Sequence, residues 1–293
     1  MRILETKAEL REALNPARRE GATIGLVPTM GYLHDGHASL LEAARRDCDV
    51  VVLSLFVNPA QFGPGEDLER YPRDHERDAA LAEAAGVDLI YAPSVEEVYP
   101  AGFDTSVVVG DLTEVLCGDP SSRGPEHFRG VTTVVAKLFN TVGPDVAYFG
   151  QKDAQQAIVI RQMTRDLDFP IEIVVGPIVR EHDGLALSSR NAYLEADERE
   201  RALALSRALR AAQKAAAPGA ATDQALDAAR FVLRGATVEP EYLEARDAES
   251  LEPIESFNGR PVLVAVAARI GRTRLIDNVV IDFNQSMNSP EGN

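Results

Sequence analysis

Pro28-Thr29-Met30-Gly31-Tyr32-Leu33-His34-Asp35-Gly36-His37 is the stretch from which the fold of this chain is read. Just before it, residues 23–27 are apolar and β-rich. Just after it, residues 38–46 carry a helical pattern in which Leu40, Leu41 and Ala44 share one face and Glu42, Arg45 and Arg46 take the other. A strand that turns through glycines into a helix is the repeating unit of a parallel α/β sheet, and such sheets bind ligands at the carboxyl ends of their strands. The helix start offers N–H groups and partial positive charge to an anion. Gly31 and Gly36 let the backbone bend and come close to a phosphate. His34 and His37, three apart, put both imidazoles on one side of the first turn, where they can donate to phosphate oxygens. The same residues are also open to reading as a polar loop. A third reading is a metal-binding histidine pair, for which Asp35 is a poorly spaced third ligand.

Outward from this stretch the pattern repeats. β-rich runs at 50–57, 88–91, 145–149 and 171–175 alternate with helical patterns at 74–85, 131–142 and 154–167. The runs are apolar on both faces, as strands covered by helices on both sides should be. This predicts an α/β fold, a Rossmann-like doubly wound parallel sheet, over residues 1–180. Past residue 180 the order changes. Helices at 195–217 and 223–233 precede strands at 241–246, 262–270 and 273–277, with Gly271-Arg272 as the last turn. A second, smaller α+β domain is expected over 181–283, and the polar run 284–293 is expected to be disordered.

Charge and composition narrow the class. Lys and Arg number 30 against 46 Asp and Glu, a net charge of −16 that repels phosphate backbones and argues against a nucleic-acid partner. A local basic pocket can still hold a small anion. The longest nearly apolar run, 50–57, falls far short of the roughly 18 residues that cross a bilayer. The first residues lack the apolar core of a signal peptide. No membrane partner is expected, and a cytoplasmic location is. Cys48 and Cys117 stand in no metal or redox spacing and read as reduced thiols.

Three further stretches carry chemistry. Gly150-Gln151-Lys152-Asp153 follows the run at 145–149 and opens a helix, which puts Lys152 at the same sheet edge as His34 and His37. Lys152 offers a point charge to a phosphate, Asp153 a helix cap or a ribose acceptor, and Gln156 shares their face. Leu187-Ser188-Ser189-Arg190-Asn191 sets two hydroxyls before a guanidinium, a set suited to terminal phosphates. In Phe56-Val57-Asn58-Pro59-Ala60-Gln61-Phe62, Asn58 and Gln61 are neutral donor-acceptors, suited to a small hydroxy acid whose carboxylate must stay free to react. Each alone also reads as a turn or a surface helix start.

Together, and in the same order along the chain from Gly25 to about Asp277, these stretches resemble the pantoate–β-alanine ligase family. His-Phe-Arg-Gly-Val (127–131), Phe-Gly-Gln-Lys-Asp-Ala-Gln-Gln (149–156) and Asp-Gly-Leu-Ala-Leu-Ser-Ser-Arg-Asn (183–191) add to the likeness. His34-Asp35-Gly36-His37 is similar to the His-x-Gly-His signature of the wider nucleotidyltransferase superfamily. The resemblance implies an ATP-dependent ligation in two steps. Pantoate is adenylated with release of pyrophosphate, and the amine of β-alanine then displaces AMP to give pantothenate.

The resemblance also implies site residues. Met30, Gly31, Tyr32, Leu33, His34, Asp35, Gly36 and His37 would line the ATP site, with His37 as proton donor and His34 and Lys152 beside it in catalysis. Gly150, Gln151, Lys152 and Asp153 would contact ATP, Val179 the adenine through its backbone, and Leu187, Ser188, Ser189 and Arg190 the phosphates. Gln61 and Gln156 would bind pantoate, with Asn58 nearby and the β-alanine site bordering Gln61. The smaller domain would close over ATP. Mg2+ would accompany ATP, and the enzyme would be a homodimer. Asp78 is a candidate to approach the magnesium, set against its reading as a solvated helix residue.

Two departures stand out: Tyr32 replaces a smaller residue, and residues 121–128 lack the usual Arg-Pro-Gly-His-Phe order, which leaves Arg123 without an assigned contact. The alternatives are another nucleotidyltransferase of the superfamily acting on a phosphate acceptor, or a catalytically silent ATP-binding protein. A small aminoacyl-tRNA synthetase is disfavoured by the −16 charge.

Overall fold

A computed structural model describes residues 1–284; the expectation of disorder over 285–293 lies outside the described residues. The chain divides into two compact units. One comprises Met1–Glu114, Gly118–Gln151 and Val159–Val179, the other Val115–Cys117, Lys152–Ile158 and the chain from Arg180.

The first unit opens with two elements that the apolar pattern did not reveal, β1 (Arg2–Leu4) and α1 (Lys7–Glu20). The signals for α1 lie at its ends. Thr6 accepts from the Glu9 amide while the Glu9 carboxylate accepts from the Thr6 amide, and Gly21 ends the helix at φ 72°. Leu10 and Leu14 are fully buried. There follow β2 (Ile24–Thr29), α2 (Asp35–Asp47), β3 (Val50–Leu55), α3 (His75–Ala84), β4 (Leu89–Tyr91) and the short α4 (Val95–Val98). Next come α5 (Pro125–Val142), β5 (Val146–Gly150), α6 (Ala154–Asp166), whose residues up to Ile158 fall in the second unit, and β6 (Glu172–Gly176). α5 begins at Pro125, not at 131, because proline at the first helical position costs no hydrogen bond.

All six strands run parallel, in the order β1-β4-β3-β2-β5-β6. This is the expected doubly wound α/β sheet. Along β2, Val27 packs with Leu40, Leu41 and Ala44 of α2, while Leu26, equally buried, points to the opposite face. The strand order reverses at β2, which has β3 on one side and β5 on the other. The carboxyl ends of β2 and β5 therefore flank a topological switch point, where such sheets bind ligands.

The second unit holds α7 (Ala196–Ala215), α8 (Thr222–Gly235) and an antiparallel sheet of β7 (Pro240–Asp247), β8 (Val262–Ile270) and β9 (Thr273–Ile281). Val262, Val264 and Val266 of β8 bury one face against Ala204, Ala208 and Ala212 of α7 and Ala229 of α8. β9 runs to Ile281, beyond the expected 277, because it pairs with β8 along its whole length. Among the described residues no helix is long and apolar enough to cross a membrane.

Candidate active site

The 28–37 stretch leaves β2 at the switch point. β2 continues through Pro28 and Thr29 beside Ser54 and Leu55 of β3, and the Thr29 hydroxyl donates to the Ser54 carbonyl (2.8 Å). Gly31 and Tyr32 then take left-handed backbone, φ 85° and 52°. For Tyr32 that conformation is unfavourable and needs a restraint. Asp78 of α3 supplies it: its carboxylate accepts from the amides of Tyr32 (2.8 Å) and Leu33 (2.6 Å) and is 2% exposed. Asp78 is therefore not a solvated helix residue. Each of its oxygens accepts from one amide of the loop. A side chain at Gly31 would press on Asp78 Oδ2 at 3.0 Å, so glycine is required there twice over.

α2 starts at Asp35 rather than 38, with His34 as its N-cap. His34 Nδ1 accepts from the Gly36 amide (3.2 Å), and His37 Nδ1 accepts from the His34 amide (3.3 Å). An Nδ1 that accepts leaves the ring proton on Nε2. The rings stack with centroids 4.1 Å apart, as their spacing predicted. The two rings, 30° apart in plane, thus carry their protons on Nε2 at the N-terminus of α2.

Beyond β3, Asn58 caps a 3-10 turn over Pro59–Gln61, and both amide side chains are buried. Asn58 Oδ1 accepts from the Tyr99 hydroxyl and the Ala60 amide, while Nδ2 donates to the Gly130 carbonyl and to Gln61 Oε1. Gln61 Nε2 lies 3.3 Å from Met30 Sδ, so Gln61 meets the 28–37 loop. Gly130 lets α5 press onto this turn, since a Cβ there would overlap the Ala60 carbonyl.

The Gln61 carbonyl accepts from His127 Nδ1 (2.8 Å) and from Arg123 (3.3 Å). Arg123 also contacts His127 Nε2 and grips Glu66 through two nitrogens, at 2.7 and 2.6 Å. Burial alone would raise the Glu66 carboxyl, but the Arg123 guanidinium outweighs it and holds that carboxyl below the usual range. Arg123, left without a role by the sequence, therefore braces the turn that carries Gln61. Its neighbour His127 was visible in a motif, whereas Glu66 and Tyr99 gave no sequence signal.

In the second unit Lys152 lies in the 3-10 turn Gln151–Asp153, 3.8 Å from Asp153 Oδ1, with its carbonyl held by Asn278. Gln155 is spent on structure, accepting from the Cys117 amide and donating to the Val115 carbonyl, and the adjacent Gln156 is half-buried. Ser188 caps the turn Ser189–Tyr193 by accepting from the Arg190 amide; Ser189 is buried, and Leu187 and Arg190 are half-buried. Glu181 fixes this turn from behind, accepting from Asn191 and Arg199. Val179 is the last residue of the first unit and is half-buried.

The family description Pantoate-beta-alanine ligase matches residues 2–280. The chain belongs to the pantoate–β-alanine ligase family. Its relatives include the pantothenate synthetase of Moorella thermoacetica, 57% identical over 97% of this chain and 100% of that protein. Pantothenate synthetase 1 of Bradyrhizobium diazoefficiens is 55% identical over 98% of this chain and 100% of that one. A crystal structure of the Thermus thermophilus pantothenate synthetase superposes with a TM-score of 0.90 at 51% identity, covering 95% of this chain and 99% of that one. The ligase from Francisella tularensis, solved in complex with β-γ ATP and β-alanine, gives a TM-score of 0.79 at 30% identity, with 96% and 97% covered.

Within this ligase the first unit brings Met30, His34, His37 and Gln61 to the carboxyl-end side of one sheet, with Asn58 behind Gln61.

Proposed function

We propose that this ligase adenylates pantoate at the ends of β2 and β3 and then forms the amide of pantothenate. A pantoate carboxylate oxygen attacks the α-phosphorus of ATP and pyrophosphate leaves. The β-alanine nitrogen then attacks the acyl carbon, AMP leaves, and the nitrogen loses a proton. The paired Nε2–H donors of His34 and His37 carry this reading, because negative charge builds on the α-phosphate oxygens in the first transition state and preorganised donors stabilise it there. The loop 30–37 is assigned to ATP together with Gly150, Gln151, Lys152, Asp153, Val179 and Leu187–Arg190, and Gln61 and Gln156 are assigned to pantoate. Among the described residues no three His, Cys, Asp or Glu gather for a resident cation, so magnesium is assigned to the incoming ATP as part of the substrate. The family resemblance supports a homodimer working in the cytoplasm.

The test is isotope exchange. Pantoate, magnesium and ATP without β-alanine should move labelled pyrophosphate into ATP, and β-alanine should turn that exchange into net AMP release. His37→Ala should cut exchange by about a hundredfold while the far-ultraviolet circular dichroism stays that of the wild type. Folded wild-type protein that shows no pantoate-dependent exchange overturns the proposal.

A further inference from the structure

Asn58 spends its entire hydrogen-bonding capacity inside the protein. An asparagine side chain has two N–H donors and an oxygen with two lone pairs. Here Oδ1 accepts from Tyr99 Oη (2.8 Å) and the Ala60 amide (3.3 Å). Nδ2 donates to the Gly130 carbonyl (3.1 Å) and to Gln61 Oε1 (3.1 Å). At 1% exposure nothing of Asn58 remains to meet a substrate.

The sense of this network is forced. A backbone amide can only donate and a backbone carbonyl can only accept, so Ala60 and Gly130 dictate which end of Asn58 is oxygen. Nδ2 then faces Gln61, and Gln61 must answer with Oε1. Its own Nε2 is turned the other way, toward Met30 of the 28–37 loop. Tyr99 completes the chain. Burial pushes its phenol up to about 12, so across the neutral range it keeps the proton that it donates to Asn58. Its ring is packed against Phe56 and Phe103, with Lys137 Nζ 5.7 Å from its centroid, and these contacts hold the hydroxyl in place.

We infer that Tyr99 and Asn58 are positioning residues that hold Gln61 as a hydrogen-bond donor toward the acid substrate, so that the site selects an acid presenting an acceptor oxygen there. This rests on the assignment of Gln61 to the pantoate site. A glutamine free to turn over would serve an acceptor or a donor equally, whereas a locked one rejects a donor-only group by leaving two N–H groups face to face.

Tyr99→Phe removes the hydroxyl and keeps the ring. With one neutral hydrogen bond lost from the relay, kcat/KM for pantoate should fall about fivefold. The loss should lie in the pantoate KM, with the ATP KM unmoved. In a Gln61→Ala background, read at sub-saturating pantoate, the same substitution should change kcat/KM by less than about 1.5-fold, because residues acting through one another are not additive. Equal losses in both backgrounds would mean that Tyr99 acts on the fold rather than through Gln61, and would overturn the relay. An unchanged pantoate kcat/KM in Tyr99→Phe alone would do the same. Loss of pantoate-dependent exchange in the wild type would instead sink the functional reading.

Discussion

Asp78 accepts from two successive amides, those of Tyr32 and Leu33, and Tyr32 is held in left-handed backbone at φ 52°. These contacts lie one residue before the His34 cap, so the placement of both imidazoles depends on a carboxylate that touches neither. Removing it takes the carboxylate from one buried and one part-buried N–H group and releases the strained turn. Asp78→Ala should cost about 2–4 kcal/mol of stability. Asp78→Asn keeps one acceptor but turns an NH2 on the other amide, and should recover only part of that. Chemical denaturation of the three proteins measures this directly, and an Asp78→Ala midpoint equal to that of the wild type would end the argument. The sequence placed Asp78 on a helix but could not say what it faces, because its partners lie 45 and 46 residues away. His34 and His37 were legible for the opposite reason: both belong to a single turn.

Elements were legible where their signal is internal and obscure where it lies at the ends. β8 was read to the residue from its apolar run. α1 was missed although Thr6, Glu9 and Gly21 mark both its ends, because Pro16 and a dense set of charges interrupt its apolar stripe. The pairing of Arg123 with Glu66 was not legible at all, since it joins two loops 57 residues apart. That ion pair has a pH signature with a definite sign. The folded-state carboxyl of Glu66 is lowered from its ordinary 4.5, so its contribution is full above that value and is lost as pH falls through the lower one. The wild type should exceed Glu66→Gln in stability by about 1–2 kcal/mol at neutral pH, the two converging as pH falls through the lowered value. Urea titrations at several pH values give the difference, and a gap that stays constant into acid would assign it to packing instead.

For the whole molecule, the alternation of strands and helices told the fold class, but the period of apolar residues carries no information on which strands are neighbours. The order β1-β4-β3-β2-β5-β6, which sets the ends of β2 and β5 at the switch point, came from structure alone. The net charge of −16 poses a second question at this scale, because ATP, pantoate and pyrophosphate are all anions. Helix N-termini and neutral imidazoles favour anions without reversing that global field, so a full positive charge has to be local. Lys152 is the proposed source. Its contact with Asp153, at 3.8 Å and partly exposed, is worth little to the fold. Lys152→Ala should therefore melt with the wild type. Because the α-phosphate gains charge only as pantoate attacks, the lost cation should raise the adenylation barrier by about 2–4 kcal/mol. It should weaken ATP binding much less, by under about threefold, since the extra charge it meets exists only in the transition state. Titration calorimetry with ATP and single-turnover formation of the acyl adenylate separate the two. An adenylation rate equal to that of the wild type would remove Lys152 from the chemistry, and a loss confined to ATP affinity would make it a binding residue only.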